Sequence, residues 1–136
     1  MIQQIFINLP VKDLDKSIAF FTKLGFTFNP KFTDQNATCM IIGKNIYAML
    51  LVEKFFSTFT TKHISDAHKN AEVINSMQLE SKEKVDELMN KALKAGAKEP
   101  RPAQDLGWMY QRGFEDLDGH LWEVFFMDET KMPTNP

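Results

Sequence analysis

The chain has 136 residues, 43% of them hydrophobic and 25% charged. That is enough for one core-forming domain and too ordinary for a disordered or fibrous protein. Lys plus Arg number 16 and Asp plus Glu 18, a net charge of −2, which argues against a protein built on phosphate contacts. No apolar run approaches the ~20 residues that span a bilayer. The opening MIQQIFINLP has no basic segment ahead of a long apolar stretch, and the one cysteine, Cys39, has no internal partner. The expectation is a soluble cytoplasmic protein with no nucleic-acid or membrane partner. The 12 Phe and 8 Met are out of proportion. They suit a packed core with an oligomer interface, an apolar pocket for an organic ligand, or both.

Gln3–Leu9 alternates as a strand, and Pro10 is expected to end its ladder. Asp13 is placed to cap a helix over Leu14–Leu24 whose apolar stripe is Leu14, Ile18, Phe21 and Leu24 with Phe20 beside it, closed by Gly25. Three strands follow, Phe26–Phe32, Thr38–Ile42 and Ile46–Val52, the last two joined by a turn at Gly43-Lys44-Asn45. Glu53–Asn70, with its Phe, Thr and Ser residues and then His63, Asp66 and His68, reads as a long connection with a short helix. The order then repeats. Glu72–Leu79 is a strand, and Ser81 caps a helix over Lys82–Ala95 with Val85, Leu88, Met89 and Ala92 inward, closed by Gly96. Ala97–Gly107 is irregular. Trp108–Glu115 and Leu121–Met127 are strands around the turn Asp116-Leu117-Asp118-Gly119, and Glu129–Pro136 is a loose polar tail.

The organisation is therefore α+β, one domain of two βαβββ modules at about residues 1–53 and 71–128, with a connection at about 54–70 and a tail over 129–136. Each helix has one apolar stripe, so each should cover one face of its sheet and leave the other free to line a cavity or meet another subunit.

Two segments carry a resemblance. Asn8-Leu9-Pro10-Val11-Lys12-Asp13-Leu14-Asp15-Lys16-Ser17, running on to Phe20-Phe21 and Leu24-Gly25-Phe26, is similar to the opening of the vicinal oxygen chelate superfamily of glyoxalase I, bleomycin and fosfomycin resistance proteins and extradiol dioxygenases. Phe114-Glu115-Asp116-Leu117-Asp118-Gly119-His120-Leu121-Trp122-Glu123 is similar to that family's closing motif, with Leu117 where the family has proline. The resemblance implies the tandem βαβββ fold, a homodimer and, in the metal-dependent members, a divalent ion held by His or Gln, Glu, His and Glu on four strands. Carried over by position, the first ligand falls on Phe6, which has no donor, or two residues on at Asn8. The second falls in Ile46–Val52, where Tyr47 is the one polar side chain. The third falls on Asn75 and the fourth on Glu123, the one ligand-type position retained. A metal at that site is disfavoured and no cofactor is expected. His63, Asp66 and His68 read as a solvated stretch before they read as a metal site, and His120 as a turn residue.

Glu123 shares a strand face with Leu121, Phe125 and Met127, while Trp122, Val124 and Phe126 face the helix. A carboxylate on an apolar face either pairs with a base such as Arg112 or sits in a pocket as a general base or anchor for a cationic ligand. Asn8 and Asn75 are expected on the pocket face as hydrogen-bonding groups, with Phe6, Met49, Trp108 and Tyr110 as candidate walls; the sequence leaves open which face of Ile46–Val52 and Trp108–Glu115 turns inward. The expected function is binding of a small organic molecule in an apolar cleft without the usual metal. The alternative is a metal-dependent glyoxalase-like lyase or related enzyme of that superfamily. No nucleophile elbow, phosphate loop, dinucleotide fingerprint or Cys pair supports another chemistry.

Overall fold

A computed structural model describes residues 1–134, so the last two residues of the tail lie outside the described part. The elements in order are β1 (Ile5–Val11), α1 (Leu14–Leu24), β2 (Thr27–Asn29), β3 (Ala37–Gly43), β4 (Ile46–Val52), the one-turn α2 (Glu53–Phe56), β5 (Ile74–Gln78), α3 (Lys82–Lys94), β6 (Gln104–Asp105), β7 (Met109–Glu115) and β8 (Leu121–Met127). Single 3-10 turns lie at Pro30–Phe32, Ser57–Phe59 and Glu129–Lys131. The chain divides into two units, one over Met1–Asp66 and one from Ala67 onward, and the boundary falls inside the connection. No helix among the described residues is long and apolar enough to cross a membrane.

In the first unit the sheet order is β1-β4-β3-β2. β1 runs parallel to β4, and the other pairs are antiparallel. The parallel pair needs a crossover, which α1 supplies. Asp13 caps α1 by accepting from the Lys16 amide at 3.1 Å, and Gly25 ends it at φ 103° in the left-handed region. The helix buries Leu14, Ser17, Phe20, Phe21 and Leu24. Ile18 is only half-buried, so the stripe is centred a little off the expected one. These side chains pack with Leu9, Val11, Met40, Ala48 and Leu50 of the sheet into the core of the unit.

Several strand boundaries differ from the sequence reading: β1 starts at Ile5 and β5 at Ile74, each two residues later than expected, and the 97–107 segment contains the short β6. β1 continues through Pro10 to Val11. It is an edge strand, where a missing N–H costs no ladder partner. β2 stops at Asn29, because Pro30 starts a 3-10 turn that Asn29 caps by accepting from the Lys31 amide at 3.0 Å.

The second unit repeats the arrangement with sheet order β5-β8-β7-β6. Ser81 caps α3 by accepting from the Lys84 amide at 3.1 Å. Val85, Met89 and Ala92 of α3 meet Phe114, Trp122 and Val124 in a second core, all 1% exposed or less. The turn between β7 and β8 is held from inside. Asp116 Oδ1 accepts from the amides of Asp118 and His120, and Oδ2 from the Trp122 indole at 2.9 Å. Burial pushes the Asp116 carboxyl up, while nearby His120 and these N–H groups pull it back. Gly119 completes the turn at φ 86° against the Ala67–His68 backbone, where a Cβ would lie 2.7 Å from the His68 nitrogen.

Candidate functional site

β8 is a central strand, so its residues alternate strictly between a helix-covered face and an open one. Trp122 and Val124 are buried on the covered face, and Glu123 falls on the open one. Its neighbours on that face follow from the register. β5 brings Ser76 alongside, and β7 brings Gly113. The Ser76 hydroxyl donates to Glu123 Oε1 at 3.1 Å. A Cβ on Gly113 would lie 3.1 Å from the Trp122 carbonyl oxygen and 3.7 Å from Glu123 Cγ. The glycine thus keeps open the space beside the carboxylate.

That space is a cleft of about 230 Å³. Ile74 and Leu121 supply apolar surface from the strands. Pro100, Arg101 and Pro102, from the irregular segment ahead of β6, form a wall, and Gln104 and Gln111 add amides. The floor carries one anion, Glu123. Arg101 is exposed, and its guanidinium makes no hydrogen bond or ion pair among the described residues.

The covered face holds two residues that the sequence reading assigned to the pocket. Asn75 pairs in register with Trp122, which turns it away from the cleft, and its Nδ2 is buried without a partner. Tyr110 pairs with Phe126, and its hydroxyl donates to Asp86 Oδ1 of α3 at 2.6 Å. Both corrections have one cause: a strand's inward set depends on its register to the neighbour, and a shift of one residue exchanges the faces. Arg112 does not pair with Glu123 either. It lies opposite Val124, where Nη1 donates to Asp86 at 3.0 Å while Nε and Nη2 grip Glu99 at 2.9 and 2.8 Å.

Within this cluster the proton affinities of Asp86, Tyr110 and Arg112 are shifted. The Tyr110 hydroxyl, then the Arg112 guanidinium, holds the Asp86 carboxyl below its usual range against the opposing effect of burial. Burial and the Asp86 carboxylate push Tyr110 up. The Glu99 carboxylate, above all, pushes Arg112 up. Trp108 precedes β7, its carbonyl accepts from the Asp128 amide at 2.8 Å, and it does not line the cleft.

In the first unit, Phe6 lies beside Tyr47 and Asn8 beside Met49 on the open face of that sheet. The Phe6 and Tyr47 rings stack at 4.8 Å with 20° between planes. The four strands that would carry metal ligands therefore present Phe6 and Asn8, Tyr47 and Met49, Ile74 and Ser76, and Glu123. Among the described residues no three His, Cys, Asp or Glu side chains gather closely enough to hold an ion, those of His63, Asp66 and His68 included. One carboxylate with a hydroxyl is too small a donor set to fit a divalent transition metal. Sequence reasoning missed Ser76, Gly113 and the Pro100–Pro102 wall. The glycine in the middle of a strand was the one available signal.

Residues 3–43 match the family described as bleomycin resistance protein-like N-terminal. No curated protein sequence matches the chain. Several solved structures are similar. A hypothetical protein from S. aureus is 31% identical with a TM-score of 0.79, covering 93% of this chain and 94% of that one. A glyoxalase/bleomycin resistance protein/dioxygenase family enzyme from Burkholderia phytofirmans is 16% identical with a TM-score of 0.77, covering 90% and 96%. A genomically encoded fosfomycin resistance protein from Listeria monocytogenes is 21% identical with a TM-score of 0.66, covering 93% and 94%.

Proposed function

The chain belongs to the vicinal oxygen chelate superfamily of glyoxalases and bleomycin resistance proteins, and within it we propose that this member binds a small organic molecule in the cleft over Glu123 without a metal. The observation that carries the reading is that Glu123 is the one carboxylate among the residues lining the cleft. Glu123 holds the strand position that the resemblance assigns to a ligand, its partner is the Ser76 hydroxyl, and the cleft around it combines Ile74, Leu121 and two prolines with Gln104, Gln111, Arg101 and Arg112. A lone anion at the floor of a largely apolar cleft attracts a cationic or N–H-bearing group more strongly than it would in bulk water. Glu123 is the anchor, Ser76 orients it, and the wall shields the contact.

A panel of small aryl compounds tests this by thermal shift. Benzylamine, a cation at neutral pH, should raise the melting temperature of the wild type, and benzyl alcohol should do so much less. Glu123→Gln should weaken benzylamine binding by about tenfold, or ~1.4 kcal/mol. Equal binding of amine and alcohol, or a glutamine variant that binds as well, would remove the anchor. A divalent metal that co-purifies in stoichiometric amount and is lost with Glu123→Ala would place the chain with the metal-dependent lyases of the superfamily instead.

We also propose a homodimer. β1 is an edge strand whose Ile5 and Phe6 are 51% and 48% exposed, a free edge and an apolar surface that suit a second copy. Sedimentation at micromolar concentration should give twice the 15.7 kDa chain mass.

A further inference from the structure

The Pro100–Pro102 wall of the cleft is held in an unusual way. It leaves the sheet after Lys98, which forms an isolated bridge with Glu115 through bonds of 3.2 and 2.8 Å. It rejoins at Gln104, opposite Gln111 of β7. Between these points no backbone hydrogen bond involves residues 99–102 among the described residues, and Pro100 and Pro102 have no N–H to offer. The side-chain tie is Glu99. Both its oxygens are held in a fork by Arg112 Nε and Nη2 at 2.9 and 2.8 Å. This pair lies in poor contact with water, the Arg112 side chain 13% exposed and that of Glu99 21%. Arg112 also meets Asp86 of α3 at 3.0 Å through Nη1, a second arm that does not reach the wall. A bidentate arginine–carboxylate pair fixes direction as well as distance.

We propose that Arg112 is a positioning residue for the cleft. From the covered side of the sheet, through Glu99, it sets the place of the wall, and with it the place of Arg101. This rests on reading the cleft as the binding site; Arg112 also lines that cleft, and its Nε and Nη2 are engaged by Glu99.

Backbone ¹⁵N relaxation of the ligand-free protein reads the wall directly at the Arg101 and Ala103 amides. Glu99→Gln keeps the shape and removes the charge. Its order parameters there should fall from the rigid range near ~0.85 towards the flexible range below ~0.6, with α3 and β8 unchanged. Asp86→Asn cuts the other arm of the arginine and should leave both amides ordered. Benzylamine should bind Glu99→Gln at least fivefold more weakly than wild type. Unchanged order in Glu99→Gln overturns the proposal. Equal loss in Asp86→Asn overturns it too, because the cluster would then be general scaffolding. If wild type binds no benzylamine while the wall loosens as expected, the cleft reading falls and the tie stands on relaxation alone.

Discussion

Gly113 and Gly119 are both required, for different reasons. At Gly113 a Cβ meets the Trp122 carbonyl oxygen at 3.1 Å, a contact the backbone must yield to, and points at Glu123. Gly113→Ala should cost about 1–3 kcal/mol through overpacking and weaken binding in the cleft, read together by thermal denaturation and titration. At Gly119 a Cβ meets backbone at 2.7 Å in a conformation with φ 86°. Gly119→Ala should therefore cost ~3 kcal/mol or more, and the variant should melt far below wild type. Glu123 was legible in the sequence because it is the one carboxylate on a strand face otherwise built of Leu121, Phe125 and Met127, and because it falls in the closing motif. Asn75 and Tyr110 were misplaced because their strands alternate equally well in either phase, and only pairing with Trp122 and Phe126 selects one.

At the scale of elements, the helices were readable from their ends. Asp13 and Ser81 cap as expected, and replacing either with alanine should cost about 1 kcal/mol, seen as a lower denaturation midpoint. The β7–α3 cluster was not readable, since Arg112, Asp86 and Glu99 come from three separate segments. It gives the second unit an acid-sensitive joint. The Asp86 carboxyl is held below its usual range in the fold. Its stabilising contribution is therefore present above the ordinary carboxylate value and lost as pH falls through the depressed one. Between about pH 5 and 2, wild type should lose stability more steeply than Asp86→Asn, as followed by melting temperature against pH. Parallel curves for the two proteins would show that Asp86 is not the sensor. The strand ends at Val11 and Asn29 escaped the sequence reading because a proline's effect depends on its setting: the edge strand β1 tolerates the missing N–H of Pro10, whereas Pro30 opens a 3-10 turn capped by Asn29.

Across the whole molecule, one element order appears in each unit, with a parallel strand pair bridged by a capped helix and two antiparallel strands beside it. That repetition was visible in the sequence through its two capped helices and closing glycines, because caps and periodicity are local. The cleft was not, because its wall comes from the irregular 97–107 segment, whose position is set by ties to distant residues. The open face of the second sheet carries Glu123 with the Ser76 hydroxyl beside it, and the open face of the first carries Phe6, Asn8, Tyr47 and Met49. The most direct measurement is a calorimetric titration of benzylamine into chelator-treated protein, repeated after a divalent metal is restored and again with Glu123→Gln. Binding by the metal-stripped wild type, unchanged by added metal and about tenfold weaker in Glu123→Gln, is the expected result. Binding or turnover that emerges only when the metal returns would contradict a metal-free cleft anchored on Glu123.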